Sequence, residues 1–129
     1  MSQILKVESN IKAVSSRARK VLLHGGVIAF PTDTFYGLGV NPFNRDAVDR
    51  IFAIKGREKK KPLILLISAR EQLETLARGI TPAHSTLMQE FWPGPLTLLF
   101  EPRSVILDNV SAGLIGIRQP GNAMTRDLI

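Results

Sequence analysis

Short aliphatic runs, Val27 to Phe30, Leu63 to Ile67, Leu96 to Phe100 and Leu114 to Ile117, alternate with stretches whose apolar residues recur every three or four positions. A run of strand length without polar alternation needs cover, and helical stretches between such runs supply it. The alternation therefore predicts an α/β architecture, a twisted mixed sheet flanked by helices, in one domain over 1–129. A chain of 129 residues is long enough to bury roughly two-thirds of the surface its unfolded form exposes, so one core is expected. No aliphatic run approaches the roughly 20 residues that cross a bilayer, and no membrane partner is expected. The chain has no cysteine, which excludes disulfides and thiolate metal sites. No secretory pattern opens it, so a cytoplasmic location is expected.

Local signals place the elements. Ile11, Val14, Ala18, Val21 and Leu22 keep helical spacing, and Gly25-Gly26 supplies a left-handed stop. Pro31 ends the first strand. Asn44 is set to cap a helix through Ala47, Val48, Ile51, Phe52 and Ile54, delivering Lys55 and Arg57 just beyond its end, where the helix dipole favours cations. Leu63 to Ile67 reads as a strand covered on both faces. Ser68 with Glu71 forms a capping box for a helix containing Leu73, Leu76 and Ala77. Thr81-Pro82 opens another, with Leu87, Met88, Phe91 and Trp92 toward the core. Pro93 and Pro95 make a rigid turn before the third run, and Asn122 caps a last helix.

Polar residues gather where these elements end. PTDTFYGLGV, residues 31–40, sets three hydroxyls, one carboxylate and two glycines directly after the first run. KGREKKK, residues 55–61, carries +4 of the net charge of +6 and leaves +2 for the rest. That concentration favours a compact site for phosphate or carboxylate over a broad nucleic-acid face. Arg118 follows the last run. Ligands in α/β folds collect at strand ends, so the three clusters are expected to converge.

GxxxxGK[ST], GxGxxG, HExxH and GxSxG are all absent, and His24 and His84 read as surface or structural residues. Hydroxyls, backbone amides and cations remain. Such groups suit reactions in which the substrate brings the nucleophile and the protein positions it and offsets phosphate charge.

PTDTFYGLG, KGREKKKPL, FWPGPLT and IRQP, in this order and at these separations, closely resemble the motifs of the YrdC-like threonylcarbamoyl-AMP synthase family over roughly residues 12–129. The resemblance implies a YrdC-like fold with a concave basic substrate site. It also implies a nucleotidyltransferase that joins L-threonine, bicarbonate and ATP into threonylcarbamoyl-adenylate with release of pyrophosphate, assisted by Mg2+. The product would feed the tRNA-modification machinery that places the threonylcarbamoyl group on an adenosine. By the same resemblance, Thr32, Thr34 and Tyr36 would hold threonine and its carbamate, and Gly37 and Gly39 would admit the ligand close to the backbone. Lys55 and Arg57 would meet the ATP phosphates, with Lys61 in support. Thr97 and Arg118 would line the nucleotide side, while Asp33 would orient the loop or sit near the metal.

Family members continue into a further strand and a Ser-x-Asn segment that closes the nucleotide site, and this sequence stops at Ile129. The expectation is therefore a domain incomplete at its C-terminus. Two other readings remain: a non-catalytic RNA-binding module of the same fold, and a carbamoyl-transfer relative like those inside hydrogenase-maturation proteins. Dependence on threonine separates the enzymes; RNA affinity that falls steeply with salt, without ATP binding, marks the module.

Overall fold

The computed structural model describes residues 3–6, 10–32, 35–56 and 63–129. Asp33, Thr34, Arg57, Lys59, Lys60 and Lys61 lie outside the described residues.

Helix α1, Ile11–Leu23, starts at Asn10, whose side chain accepts the Ala13 amide at 3.1 Å, and stops before Gly25 at φ +79°. The stop is the one the sequence predicts; the cap at Asn10 went unread. Strand β1, Ile28–Pro31, then pairs antiparallel with β2, Tyr36–Gly39, in the register Ile28 to Gly39 and Pro31 to Tyr36. Here the polar segment read as a loop is half strand. Its pleat is masked because Gly37 and Gly39 occupy alternate positions where apolar side chains would signal one. Pro31 ends the strand as expected, still paired with Tyr36, which is tolerated because a two-stranded sheet is all edge.

Helix α2, Arg45–Lys55, is capped by Asn44, which accepts the Ala47 amide at 3.0 Å, and buries Ala47, Val48, Ile51 and Phe52. Ile54 stays exposed, and Lys55 belongs to the last turn instead of lying beyond it.

The main sheet runs β3-β6-β5-β4. Strand β3, Ile64–Leu66, is parallel to β6, Ile115–Arg118. Strand β5, Leu98–Pro102, lies antiparallel to β6 and to β4, Ala77–Arg78. One parallel and two antiparallel ladders make the sheet mixed, as expected. Leu65, Leu98, Phe100, Ile115 and Ile117 are buried with Val48, Phe52, Met88 and Trp92 in a single core. The prediction that the Leu63 to Ile67 run is covered on both faces fails: Leu65 is 6% exposed and Ile64 56%.

Between β3 and β4 a 3-10 turn, Arg70–Gln72, leads into helix α3, Leu73–Leu76. The capping partner of Ser68 is Gln72, not Glu71: Gln72 Oε1 accepts the Ser68 amide at 2.7 Å and the Ala69 amide at 3.3 Å. Entry through Ala69 shifts the third helical position by one residue. Ala77, expected in this helix, is strand.

Helix α4, Pro82–Phe91, begins at Thr81 as predicted, but Leu87 and Phe91 face solvent while Met88 and Trp92 are buried. His84 locks its start. Its Nδ1 accepts the Thr81 amide at 3.1 Å, its Nε2 donates to the Leu99 carbonyl at 2.9 Å, and its ring stacks on Phe100 at 4.4 Å. His24 bonds the Lys20 carbonyl through Nδ1 at 2.6 Å at the end of α1, so both histidines have the structural roles expected of them. Asn122 caps the final helix α5, Ala123–Leu128, accepting the Thr125 amide at 3.2 Å.

Candidate active site

The main sheet has one face in the core and one open, and the register says which residues share the open one. Gly116 pairs with Ile64 on one side and Leu99 on the other. A Cβ added at Gly116 would meet Thr97 Cγ2 at 3.0 Å, Ile64 Cγ1 at 3.7 Å and Leu99 Cδ2 at 3.8 Å. Side chains two apart on a strand share a face, so Arg118 and its partner Leu66 lie in the next row. Thr97 and Arg118, predicted to line one site, therefore do share a surface, at the end where β3 and β6 stop and β5 begins. Arg118 is half-buried with its Nε inside the protein, so its guanidinium is not a loose surface cation.

The end of this sheet is braced. The Ile67 amide donates to the Arg118 carbonyl at 3.0 Å, the Gly94 amide to the Gln119 carbonyl at 2.9 Å, and Gln119 Nε2 to the Ser68 carbonyl at 3.0 Å. Arg126 Nη1 donates to the Pro120 carbonyl at 2.8 Å and the Gly121 carbonyl at 2.9 Å, holding the turn that leads from β6 into α5.

Helix α5 then reaches the hairpin. The hydroxyl of buried Thr125 donates to the carbonyl of Pro31. Thr32 is thus tied, through seven residues of chain, to Arg118. At the hairpin's turn the Thr32 amide donates to the Phe35 carbonyl at 3.0 Å, the Phe35 amide to Thr32 Oγ1 at 3.2 Å, and the Thr32 hydroxyl to the Phe35 carbonyl. Thr32 therefore shapes its own turn here, as short polar side chains often do. Tyr36 is 78% exposed beside it. A Cβ at Gly39 would fall 2.6 Å from Phe30 Cε1, so this glycine first serves the seating of Phe30 across the hairpin.

Lys55 is exposed on the last turn of α2. It leads toward Ile64 through residues 57–62, where Arg57 and Lys61 fall. The structure unites Thr97 with Arg118 and links Thr32 and Tyr36 to them through Thr125. No hydrogen bond or ion pair joins the Lys55 side chain to either group among the described residues. The two clefts that stand out lie elsewhere: one of about 430 Å3 beside Arg70, Glu74 and Ser85, and one of about 400 Å3 between α1 and α5. Among the described residues the sheet face is open, with Ile64 56% and Leu99 58% exposed. Sequence reading missed Gly116, Ile64, Leu99, Gln119 and Thr125. For the first three the missed signal was the one-in-two spacing inside runs read as wholly apolar.

The family model described as Telomere recombination, Sua5_yciO_yrdC, matches residues 20–129. The chain belongs to the Sua5/YciO/YrdC family. Among Sua5/YciO/YrdC relatives, the threonylcarbamoyl-AMP synthase of Pyrococcus abyssi is 39% identical over 132 residues, covering 100% of this chain and 39% of its own length. That of Bacillus subtilis is 42% identical over 117 residues, covering 88% of this chain and 34% of its own length. The structure of P. abyssi Sua5 complexed with L-threonine superposes with a TM-score of 0.85 at 36% identity, over 98% of this chain and 36% of that one. The chain thus spans well under half the length of these Sua5/YciO/YrdC proteins.

Proposed function

We propose that this chain carries the substrate-binding core of a threonylcarbamoyl-AMP synthase. The reaction joins L-threonine, bicarbonate and ATP into threonylcarbamoyl-adenylate and pyrophosphate, for threonylcarbamoyladenosine modification of tRNA in the cytoplasm. The observation that carries the reading is the alignment of the whole chain with the P. abyssi threonylcarbamoyl-AMP synthase at 39% identity.

In this reading the amino group of threonine captures the carbon of bicarbonate to form a carbamate, with loss of water. A carbamate oxygen then attacks the α-phosphorus of ATP, the bond to the β-phosphate oxygen breaks, and pyrophosphate leaves. Anions meet and another is expelled, so cations and fixed dipoles do most of what the protein can do. Thr32, Thr34 and Tyr36 hold threonine at the hairpin. Arg118 and Thr97 take the nucleotide on the open sheet face, where Ile64 and Leu99 offer an apolar bed. Lys55, on the last turn of α2, meets the phosphates, and Arg57 and Lys61 are assigned to the same charge.

Among the described residues no three His, Asp or Glu side chains converge to cage a metal. That donor set fits Mg2+ arriving on the ATP phosphates, as this ion commonly does, better than one held by a protein cage. Bound there, it would neutralise phosphate charge.

Pyrophosphate release from ATP by the purified chain, with threonine and bicarbonate each omitted in turn, tests the reading. Release that needs both is expected. Release without threonine would move the chain to a carbamoyl-transfer chemistry, and none from a cooperatively folded chain would sink catalysis by this chain.

A further inference from the structure

Thr125 is the one polar side chain that is fully buried among the described residues, at 1% exposure. A buried hydroxyl costs free energy unless it is paired, and a valine would fill nearly the same space without that cost. What the hydroxyl adds is one bond, to the carbonyl of Pro31, 94 positions away in the chain.

The local surroundings of Thr125 direct it outward. A threonine in a helix commonly bonds the carbonyl three or four residues back. Those carbonyls belong to Asn122 and Gly121, and Arg126 engages both, the first through its amide at 3.1 Å and the second through Nη1 at 2.9 Å. The hydroxyl of Thr125 leaves its own helix for β1. Its origin is also fixed: Asn122 Oδ1 accepts the Thr125 amide at 3.2 Å, and Arg126 Nη1 holds the Pro120 carbonyl at 2.8 Å.

The far end of the bond falls at a sensitive point. Thr32 and Phe35 are bonded across the hairpin, so by antiparallel alternation the next pair, Pro31 and Tyr36, turns its backbone groups outward. The Pro31 carbonyl therefore lies outside the hairpin's own ladder. It shares one planar peptide unit with the Thr32 amide, which donates to the Phe35 carbonyl at 3.0 Å. That unit is gripped at both ends, with Phe35 holding the N–H and Thr125 the oxygen. Rotating it would carry Thr32 along, and would disturb Tyr36 opposite Pro31. Packing offers little resistance, since no residue of β1 or β2 is fully buried.

We propose that Thr125 is a positioning residue for the threonine end of the candidate site. It touches no substrate; it sets the Pro31–Thr32 peptide from which Thr32 and Tyr36 are presented. The inference rests on the synthase reading, which assigns L-threonine to this hairpin.

Isothermal titration of L-threonine, and separately of ATP, into the full chain tests it. If the hairpin without its clamp holds the competent geometry about one-tenth of the time, Thr125→Val raises the L-threonine dissociation constant about 10-fold. The constant for ATP should stay within about 2-fold of the wild type, as expected for groups that share no partner with the altered one. Thr125→Ser keeps the hydroxyl and should bind L-threonine as the wild type does. Leu73→Val, a core truncation on α3, controls for lost stability and should leave both constants unchanged. Arg126→Met releases the Gly121 carbonyl as a competing acceptor for the Thr125 hydroxyl. It should weaken L-threonine binding in the wild-type background and add nothing in the Thr125→Val background.

A wild type that binds L-threonine while Thr125→Val binds it equally well overturns the inference alone, as does a serine variant as weak as the valine one. Equal losses for L-threonine and ATP would mark a merely structural role and overturn it too. Should the valine variant fail to fold, Arg126→Met decides, and unchanged L-threonine affinity there overturns the inference. A wild type that takes up no L-threonine overturns the synthase reading, and this inference with it.

Discussion

The two sheets of this protein are held together in opposite ways. The four-stranded sheet is fixed by what lies beneath it: Phe100, Ile115 and Ile117 are almost fully buried, and each strand sends alternate side chains into one core. The β1–β2 hairpin buries no residue fully; both strands are half-buried or exposed along their length. Its conformation rests on ladder bonds, the Thr32–Phe35 turn and the hydroxyl of Thr125. The sheet can therefore lose surface groups freely but not core ones, while the hairpin depends on a few polar contacts. The substrate site proposed across both would combine a rigid sheet face with a more easily displaced wall, as local stability differences within one fold allow.

The contrast can be broken at its strongest point. Phe100→Ala removes a ring stacked on His84 and tilted against Trp92 at 6.4 Å, and should cost about 3–5 kcal/mol in a denaturant titration. A loss below about 1 kcal/mol would mean the sheet does not rest on this core. Thr125→Val cuts the bond between α5 and Pro31 and leaves that carbonyl without its donor. About 1–3 kcal/mol should be lost, with amide exchange rising at β1 and β2 more than at β5 and β6; uniform exchange would show that the hairpin is not separately held. Tyr36→Ala should leave stability within about 0.5 kcal/mol, since the side chain is 78% exposed, while raising the threonine requirement for pyrophosphate release. Unchanged threonine dependence would remove Tyr36 from the site.

The smallest effect belongs to Asp108. Its bond to Arg45 at 2.8 Å, and then the charge of that guanidinium, hold the carboxyl below its ordinary value of 3.8. A depressed carboxylate stabilises the fold above the unfolded value, and that contribution disappears as pH falls through the folded one. The difference in urea midpoint between the wild type and Asp108→Asn should thus be small at neutral pH and vanish in acid. Because both partners are exposed, salt should also screen it. A difference that persists in acid would contradict the assignment.

Legibility followed the same division. The main sheet could be read because its core residues fall in aliphatic runs, and caps at Asn44, Thr81 and Asn122 announced their helices by local hydrogen-bonding chemistry. The hairpin was legible as chemistry but not as structure: its hydroxyls and glycines marked a site while hiding a strand. The errors of burial, at Ile54, Ile64, Leu87 and Phe91, arose where apolar identity was taken for burial. An apolar side chain only states a preference, and the packing partner decides whether it is met.

By itself the sequence determined the α/β class, the family motifs and the residue types from which an anionic substrate site could be built. Those properties follow from spacing and side-chain chemistry, which are local. Only the tertiary structure decided that Thr97 and Arg118 share the open face with Gly116 and that Thr125 ties the hairpin to the end of β6. Each of these depends on register or on contact between residues far apart in the chain, and a one-residue shift of register would have turned the same side chains to the other face.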